Sequence, residues 1–185
     1  TGMGDHLVVA RDINESQRSR AALQDQWTFL RSVVDAEESI IYVRDGHGRF
    51  LLCNLALAQM LGMRPDEIEG SFPYELGVQE QLTPLLEGDN SLLADKSELR
   101  IPALEIRDVQ KQERVLQLLK RPMTLVDGTR LVLTVGVDIS ARRQMDKMKT
   151  EFVSTVSHEL RTPLTAIQGA LGTVSYTHLR AHETE

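Results

Sequence analysis

The chain has 185 residues, 41% of them hydrophobic, a formal net charge of −6 at pH 7 and a single cysteine, Cys53. That length suits one or two domains with a buried core, the acidic balance argues against general nucleic-acid binding, and one cysteine excludes an intrachain disulfide and fits a reducing compartment. No apolar run approaches the length that spans a bilayer and no signal peptide is visible, so a cytoplasmic location is expected for this segment, with any membrane anchor lying upstream.

Residues 7–18 and 132–143 echo one another. Each has a β-rich run, then Asp-Ile (Asp12-Ile13 and Asp138-Ile139), a small polar residue and a basic helix start. Aligning Asp12 with Asp138 gives an internal repeat of roughly 125 residues. The first copy holds only a final strand, so residues 1–17 are expected to be the tail of a truncated upstream domain of the same kind. Residues 18–38 read as a connector helix, with Leu23, Trp27, Leu30 and Val34 at helical spacing.

Residues 39–44 and 49–53 are predicted strands around Asp45-Gly46-His47-Gly48, a strong hairpin signal. Residues 54–61 predict a short helix ended by Gly62, and Pro65 with the acidic residues behind it starts another. Residues 78–94 read as helical in parts, interrupted by Pro84 and Gly88. Three further strands are predicted at 98–106, 113–124 and 129–139, the last two joined by Asp127-Gly128. Leu116, Leu118 and Lys120, and then Leu131, Leu133, Val135 and Val137, have the period of two that a strand requires.

From residue 141 onward the period changes. Apolar residues recur at Met145, Met148, Phe152, Val156, Leu160, Leu164, Ile167 and Leu171, steps of three and four that mark one face of a long helix. At about 100° per residue, His158 sits roughly 160–200° from Val156 and Leu160 and points away from that stripe. A neutral imidazole nitrogen is available there near neutral pH, which suits a nucleophile that must meet a reactant carried on another domain. Glu159 is its neighbour and can hydrogen-bond the other ring nitrogen. Thr162 follows at i+4, on the same face. Pro163 removes the N–H that would bond the Glu159 carbonyl, so a bend is expected beside the histidine. A His-Glu-x-x-His zinc helix is ruled out because Thr162 stands where the second histidine is needed. A solvated histidine on an amphipathic helix is the competing reading of His158 taken alone.

Residues 174–185 break the helical pattern. Val174-Ser175-Tyr176-Thr177-His178-Leu179-Arg180-Ala181-His182-Glu183-Thr184 also corresponds to one translation frame of a transposon-type sequencing adapter. The segment is set aside as an artefact. With it goes the i, i+4 pair His178 and His182 as metal ligands, and no metal site is expected.

The octapeptide Ser157-His158-Glu159-Leu160-Arg161-Thr162-Pro163-Leu164, set in a helical pattern, resembles the phosphoacceptor box of bacterial sensor histidine kinases. The resemblance implies that His158 is phosphorylated from ATP, that Glu159 assists as acid/base, and that Thr162 positions water when phosphate is removed from the partner. Upstream, the order strand, strand, helices, three strands resembles a PAS sensor domain, an α+β fold with a five-stranded antiparallel sheet and flanking helices. Ile41-Tyr42-Val43-Arg44-Asp45-Gly46, Asn54-Leu55-Ala56-Leu57-Ala58-Gln59-Met60-Leu61-Gly62, Arg64-Pro65-Asp66-Glu67-Ile68-Glu69-Gly70 and Gly136-Val137-Asp138-Ile139-Ser140 carry that likeness. In this family the last strand passes through Asp-Ile-Thr/Ser into a helix that carries the signal onward.

The expected organisation is therefore a PAS sensor domain at 39–140, then at 141–173 a signalling helix and the first helix of a dimerisation and phosphoacceptor domain. The resemblance implies two-component signal transduction by a homodimer that is autophosphorylated from ATP and passes the phosphate to an aspartate of a response-regulator receiver domain. Neither an Asn box nor a glycine-rich nucleotide-binding motif occurs in these residues, so this stretch is expected to be inactive alone. The alternative is a non-enzymatic PAS sensory or dimerisation module with a coiled-coil connector.

The sensor's ligand stays open, between a small metabolite and none. A haem site lacks its histidine, since none lies between His47 and His158, and His47 reads as a solvated turn residue. Cys53, in Leu51-Leu52-Cys53-Asn54-Leu55, is not in the Asn-Cys-Arg-Phe setting of blue-light flavin domains and reads as a core thiol. Trp27 reads as a helix-packing residue, and Tyr42 as core rather than pocket.

Overall fold

The computed structural model describes the backbone at residues 3–95 and 97–181 and the side chains at 17–93 and 97–161. The chain divides into two compact units, Thr1–Ile139 and Ser140–Glu185.

In the first unit a long helix, α1 (Met3–Ala36), precedes strands β1 (Ile40–Asp45) and β2 (Phe50–Cys53). Their turn is built by Asp45, whose Oδ1 accepts from the backbone N–H of His47 and of Arg49, both at 2.9 Å. Gly48 takes the left-handed conformation that closes it. Helices α2 (Leu55–Met60) and α3 (Pro65–Ile68), a 3₁₀ turn at Pro73–Glu75, and helices α4 (Gln79–Leu86) and α5 (Asp89–Asp95) follow. Pro84 is accommodated inside α4, and Gly88 separates α4 from α5. Strands β3 (Leu99–Arg107), β4 (Glu113–Thr124) and β5 (Arg130–Asp138) complete one five-stranded sheet in the order β2-β1-β5-β4-β3, every pair antiparallel. This is the expected α+β architecture.

The helices bury one face of the sheet. Tyr42, Phe50, Leu57, Leu61, Ile68, Leu82, Leu85, Leu116 and Leu118 form the core. On β5 the core-facing row is Val132, Thr134 and Gly136, all buried. The alternating Leu133, Val135 and Val137 that mark β5 in the sequence lie on the opposite face, because successive side chains of a strand point to opposite sides. The small residue has a steric cause. A Cβ at Gly136 would lie 2.6 Å from Ile40 Cγ1 and 2.7 Å from Leu118 Cδ2.

Two local expectations are corrected. Residues 7–10, expected as part of a strand, are helical, part of α1. A strand needs a neighbour to take its backbone hydrogen bonds, whereas a helix closes its own. The second unit is a single helix, α6 (Ser140–Ala181), which continues through Pro163 and past residue 173 rather than ending there. Once a helix is nucleated, each added residue gains a hydrogen bond, and after Pro163 no proline stands in α6 to stop it. On α6, Met145, Met148, Phe152 and Leu160 are exposed and Val156 is half-buried. The side chains of Leu164, Ile167 and Leu171 lie outside the described residues.

Replacing Gly136 by alanine is expected to destabilise the domain by about 1–3 kcal/mol through overpacking against Ile40 and Leu118. Urea unfolding of Gly136→Ala measures this; unchanged stability would mean that the Ile40 and Leu118 side chains can move aside without cost.

Candidate functional site

The phosphoacceptor candidates sit on α6. His158 and Glu159 occupy successive exposed positions, and the Thr162 side chain lies outside the described residues. Exposure does not single out the histidine, because Phe152 and Leu160, on the apolar stripe, are 69% and 57% exposed as well. An imidazole and, one residue on, a carboxylate both reach solvent there.

What α6 continues from is held firmly. One residue, Ile139, separates β5 from α6, and its N–H donates to the Val115 carbonyl at 2.8 Å. Arg114, on β4, bonds Asp138 at the end of β5 and Asp108 in the β3–β4 loop, both at 3.0 Å. At the same end of the domain, where β1 begins beside the end of β5, Asn54 ties three elements together. Its Oδ1 accepts from Ile41 N at 2.9 Å and caps α2 through Leu57 N at 3.2 Å. Its Nδ2 donates to the carbonyls of Val34, Glu37 and Ser39, so the end of α1 is bound to the sheet and to α2 by one buried amide. Arg31 adds ion pairs to Asp35 and Glu69, and Asp35 accepts from Leu55 N at 3.1 Å.

A polar cluster inside the core was not singled out from the sequence. Arg44 on β1 and Lys120 on β4 reach the same carboxylate, Asp89, the first residue of α5. Arg44 Nη1 lies 2.7 Å from Oδ2 and Lys120 Nζ 2.5 Å from Oδ1, with Lys120 0% and Asp89 3% exposed. Lys120 also donates to the carbonyls of Leu85 at 2.6 Å and Glu87 at 2.8 Å, and the Tyr42 hydroxyl donates to the Leu85 carbonyl at 2.6 Å. Burial pulls the Lys120 ammonium below the usual lysine range while Asp89 pulls it back. Burial also pushes the Tyr42 phenol well above its ordinary value, so it is a donor throughout the working pH range. The signal was present in the sequence: Lys120 stands at the core-facing step after Leu116 and Leu118.

Cys53 is a core thiol, 0% exposed. Burial, seconded by the nearby Glu69 charge, pushes it up to about 12. Trp27 is exposed on α1, His47 is exposed in its turn, and Tyr42 is core. Among the described residues no group of three or more His, Cys, Asp or Glu is placed to hold a metal ion, and no helix is long and apolar enough to cross a membrane. A cleft of about 460 Å³ between the end of α1, α2 and the β3–β4 loop is lined in part by Asp35, Gln59, Met60, Asp108 and Asp138. Since reactivity requires an accessible thiolate, Cys53 is expected to resist iodoacetamide in the native chain at pH 8 and to react fully in guanidinium. Rapid native labelling, read by mass spectrometry, would contradict the burial.

Known proteins agree with this architecture. Residues 34–144 match the family model described as PAS fold, and residues 148–183 match the His Kinase A (phospho-acceptor) domain. The virulence sensor protein BvgS of Bordetella bronchiseptica is 32% identical over 182 residues, covering 89% of this chain and 15% of BvgS. The aerobic respiration control sensor protein ArcB of Escherichia coli K12 is 27% identical, covering 86% of this chain and 22% of ArcB. Staphylococcus aureus WalK, a sensor protein kinase, is 29% identical, covering 82% of this chain and 34% of WalK. The chain thus spans about a third or less of the length of these relatives. Among solved structures, the PAS domain of Bordetella pertussis BvgS superposes with a TM-score of 0.54 at 22% identity, covering 71% of this chain and 98% of that one. A PAS domain of an HTR-like protein from Haloarcula marismortui gives 0.52 at 17% identity, covering 66% and 99%. The chain belongs to the PAS-fold family, and it joins a PAS domain to the start of a histidine-kinase phosphoacceptor domain of the kind found in two-component sensor kinases.

Proposed function

We propose that this chain is the sensor-to-phosphoacceptor segment of a homodimeric histidine kinase, and that His158 takes the γ-phosphoryl group of ATP and passes it to an aspartate of a response-regulator receiver domain. The observation that carries the reading is His158 beside Glu159, both exposed, on a continuous helix inside the stretch that matches the phosphoacceptor domain. No nucleotide-binding motif lies in these residues, so ATP is brought by a domain outside them. Attack by an imidazole nitrogen forms the P–N bond and expels ADP, and Glu159 accepts the proton that the ring must lose. Thr162 is assigned to positioning water when phosphate is removed from the regulator. A cytoplasmic setting follows from the partner, since a receiver domain must reach His158.

Joined to an ATP-binding domain of its family, the chain should acquire an acid-labile, base-stable phosphate. His158→Gln should abolish labelling while circular dichroism stays unchanged, because an exposed side chain contributes little to stability. Glu159→Ala should slow labelling by about 10²–10⁴-fold. Thr162→Ala should spare labelling and impair dephosphorylation of the regulator. Undiminished labelling of His158→Gln would remove the assignment and leave the non-enzymatic sensory module as the reading.

The exposed Met145, Met148, Phe152 and Leu160 side chains call for a partner helix. Sedimentation equilibrium should therefore find dimers or larger species, and Phe152→Glu should shift them toward monomer. A monomer at high concentration in the unsubstituted chain would count against the homodimer.

A further inference from the structure

We propose that Arg161 holds the phosphoryl group that His158 carries, pairing its guanidinium with the phosphoryl oxygens from the next turn of α6. The inference rests on reading His158 as the phosphoacceptor and adds the residue that meets the transferred charge. Three observations carry it.

The first is the scarcity of positive charge. The chain has 21 lysines and arginines, yet Arg161 is the only one between Lys149 and residue 173. The same stretch of helix carries two carboxylates, Glu151 and Glu159. A phosphoryl group brings up to about two further negative charges, and like charges on a helix repel. Arg161 is the single cation placed to offset them.

The second is position. Arg161 follows His158 by three residues, about 60° round the helix and about 4.5 Å along it, which puts the two on one face. Helical side chains lean toward the N-terminus, so a residue three places on covers the turn that holds His158. The carboxylates are placed otherwise. Glu151 stands seven residues before His158, about 10.5 Å away along the axis, where the same lean leads away from the imidazole. Glu159 is about 100° round.

The third is access together with donor chemistry. His158 and Arg161 are both exposed, so a phosphoryl donor and then an acceptor can reach the pair. Among the hydroxyls on this face, that of Thr155 already donates to the Glu151 carbonyl at 2.9 Å. A guanidinium offers parallel N–H groups to two phosphoryl oxygens at once, and that fork fixes the direction in which the phosphoryl is presented to the next acceptor.

The test uses the whole chain and the small phosphoryl donor phosphoramidate. An imidazole nitrogen of His158 forms a bond to phosphorus while the donor's own P–N bond breaks, and the ammonia released takes up the proton the ring loses. The phosphorus NMR signal that His158→Gln removes belongs to this residue. Titrated with pH, that signal should have its midpoint about 0.2–0.7 of a pH unit lower in the unsubstituted chain than in Arg161→Gln, since a facing cation favours the more highly charged phosphoryl. Arg161→Lys, which keeps the charge, should recover most of the difference. Lys149→Gln, nine residues before His158 and on the opposite side of the helix, should leave the midpoint where it is. Equal midpoints in the unsubstituted chain and Arg161→Gln overturn the proposal. So does a midpoint in Arg161→Lys no lower than in Arg161→Gln, or an equal shift in Lys149→Gln. These outcomes leave the His158 assignment standing, because no readout uses ATP. Absence of any signal that His158→Gln removes would show the imidazole closed to phosphoryl donors and overturn both readings.

Discussion

Strand β5 pairs with β1 along one edge and with β4 along the other. Its backbone groups are therefore committed on both sides, and it cannot slide by one residue without turning Val132, Thr134 and Gly136 out of the core. Gly136 reinforces the register, because only a residue without a side chain fits between Ile40 and Leu118. This is the strand that Ile139 joins to Ser140. Ile139 is tied to Val115, and Arg114 bridges Asp138 to Asp108, so the path from the sheet to Ser140 contains no slack loop. The input side is organised by different means. The end of α1 is bound by side chains, chiefly Asn54, Arg31 and Asp35, rather than by strand pairing. The last strand is thus held by backbone pairing on both edges, and the end of α1 by a few side-chain bonds that single substitutions can remove.

The interior is unusual in mixing apolar packing with charge. Leu116, Leu118 and Lys120 take successive core positions on β4. An ammonium group is tolerable there because three acceptors surround it, the Leu85 and Glu87 carbonyls near the end of α4 and the Asp89 carboxylate. The first two are among the carbonyls a helix end leaves without intrahelical partners, so one cation satisfies the end of α4 and a buried carboxylate together. The cost is that the α4–α5 turn depends on charge rather than on shape.

Much of this was legible in the sequence. The hairpin signal at Asp45-Gly46-His47-Gly48, the Asn54 start of α2, the Pro65 start of α3 and the period-two runs of β4 and β5 each mapped to an observed element, because each depends on local backbone chemistry. The octapeptide around His158 was legible for the same reason, being contiguous. What sequence could not resolve depends on contacts distant along the chain. Residues 7–10 have strand composition, yet they are helical. Which face of β5 is buried turns on Ile40 and Leu118, nearly a hundred and about twenty residues away. The Arg44–Asp89–Lys120 cluster joins β1, α5 and β4, and no window along the chain contains all three.

The sheet order has a consequence for how the protein is made. Ile40 pairs with Gly136, so the middle of the sheet joins the first strand to the last. During synthesis β1, β2 and all the helices of the layer emerge before the strand that lies between β1 and β4. The β1–β2 hairpin must wait with one edge bare until residue 138 has left the ribosome. Translation proceeds at about 5–20 residues per second, so that interval is on the order of 5–20 s. The intermediate edge, bearing Ile41 and Val43, is where a chaperone or a neighbouring nascent chain would bind, and variants that slow β5 closure should be lost to aggregation before they are lost to instability.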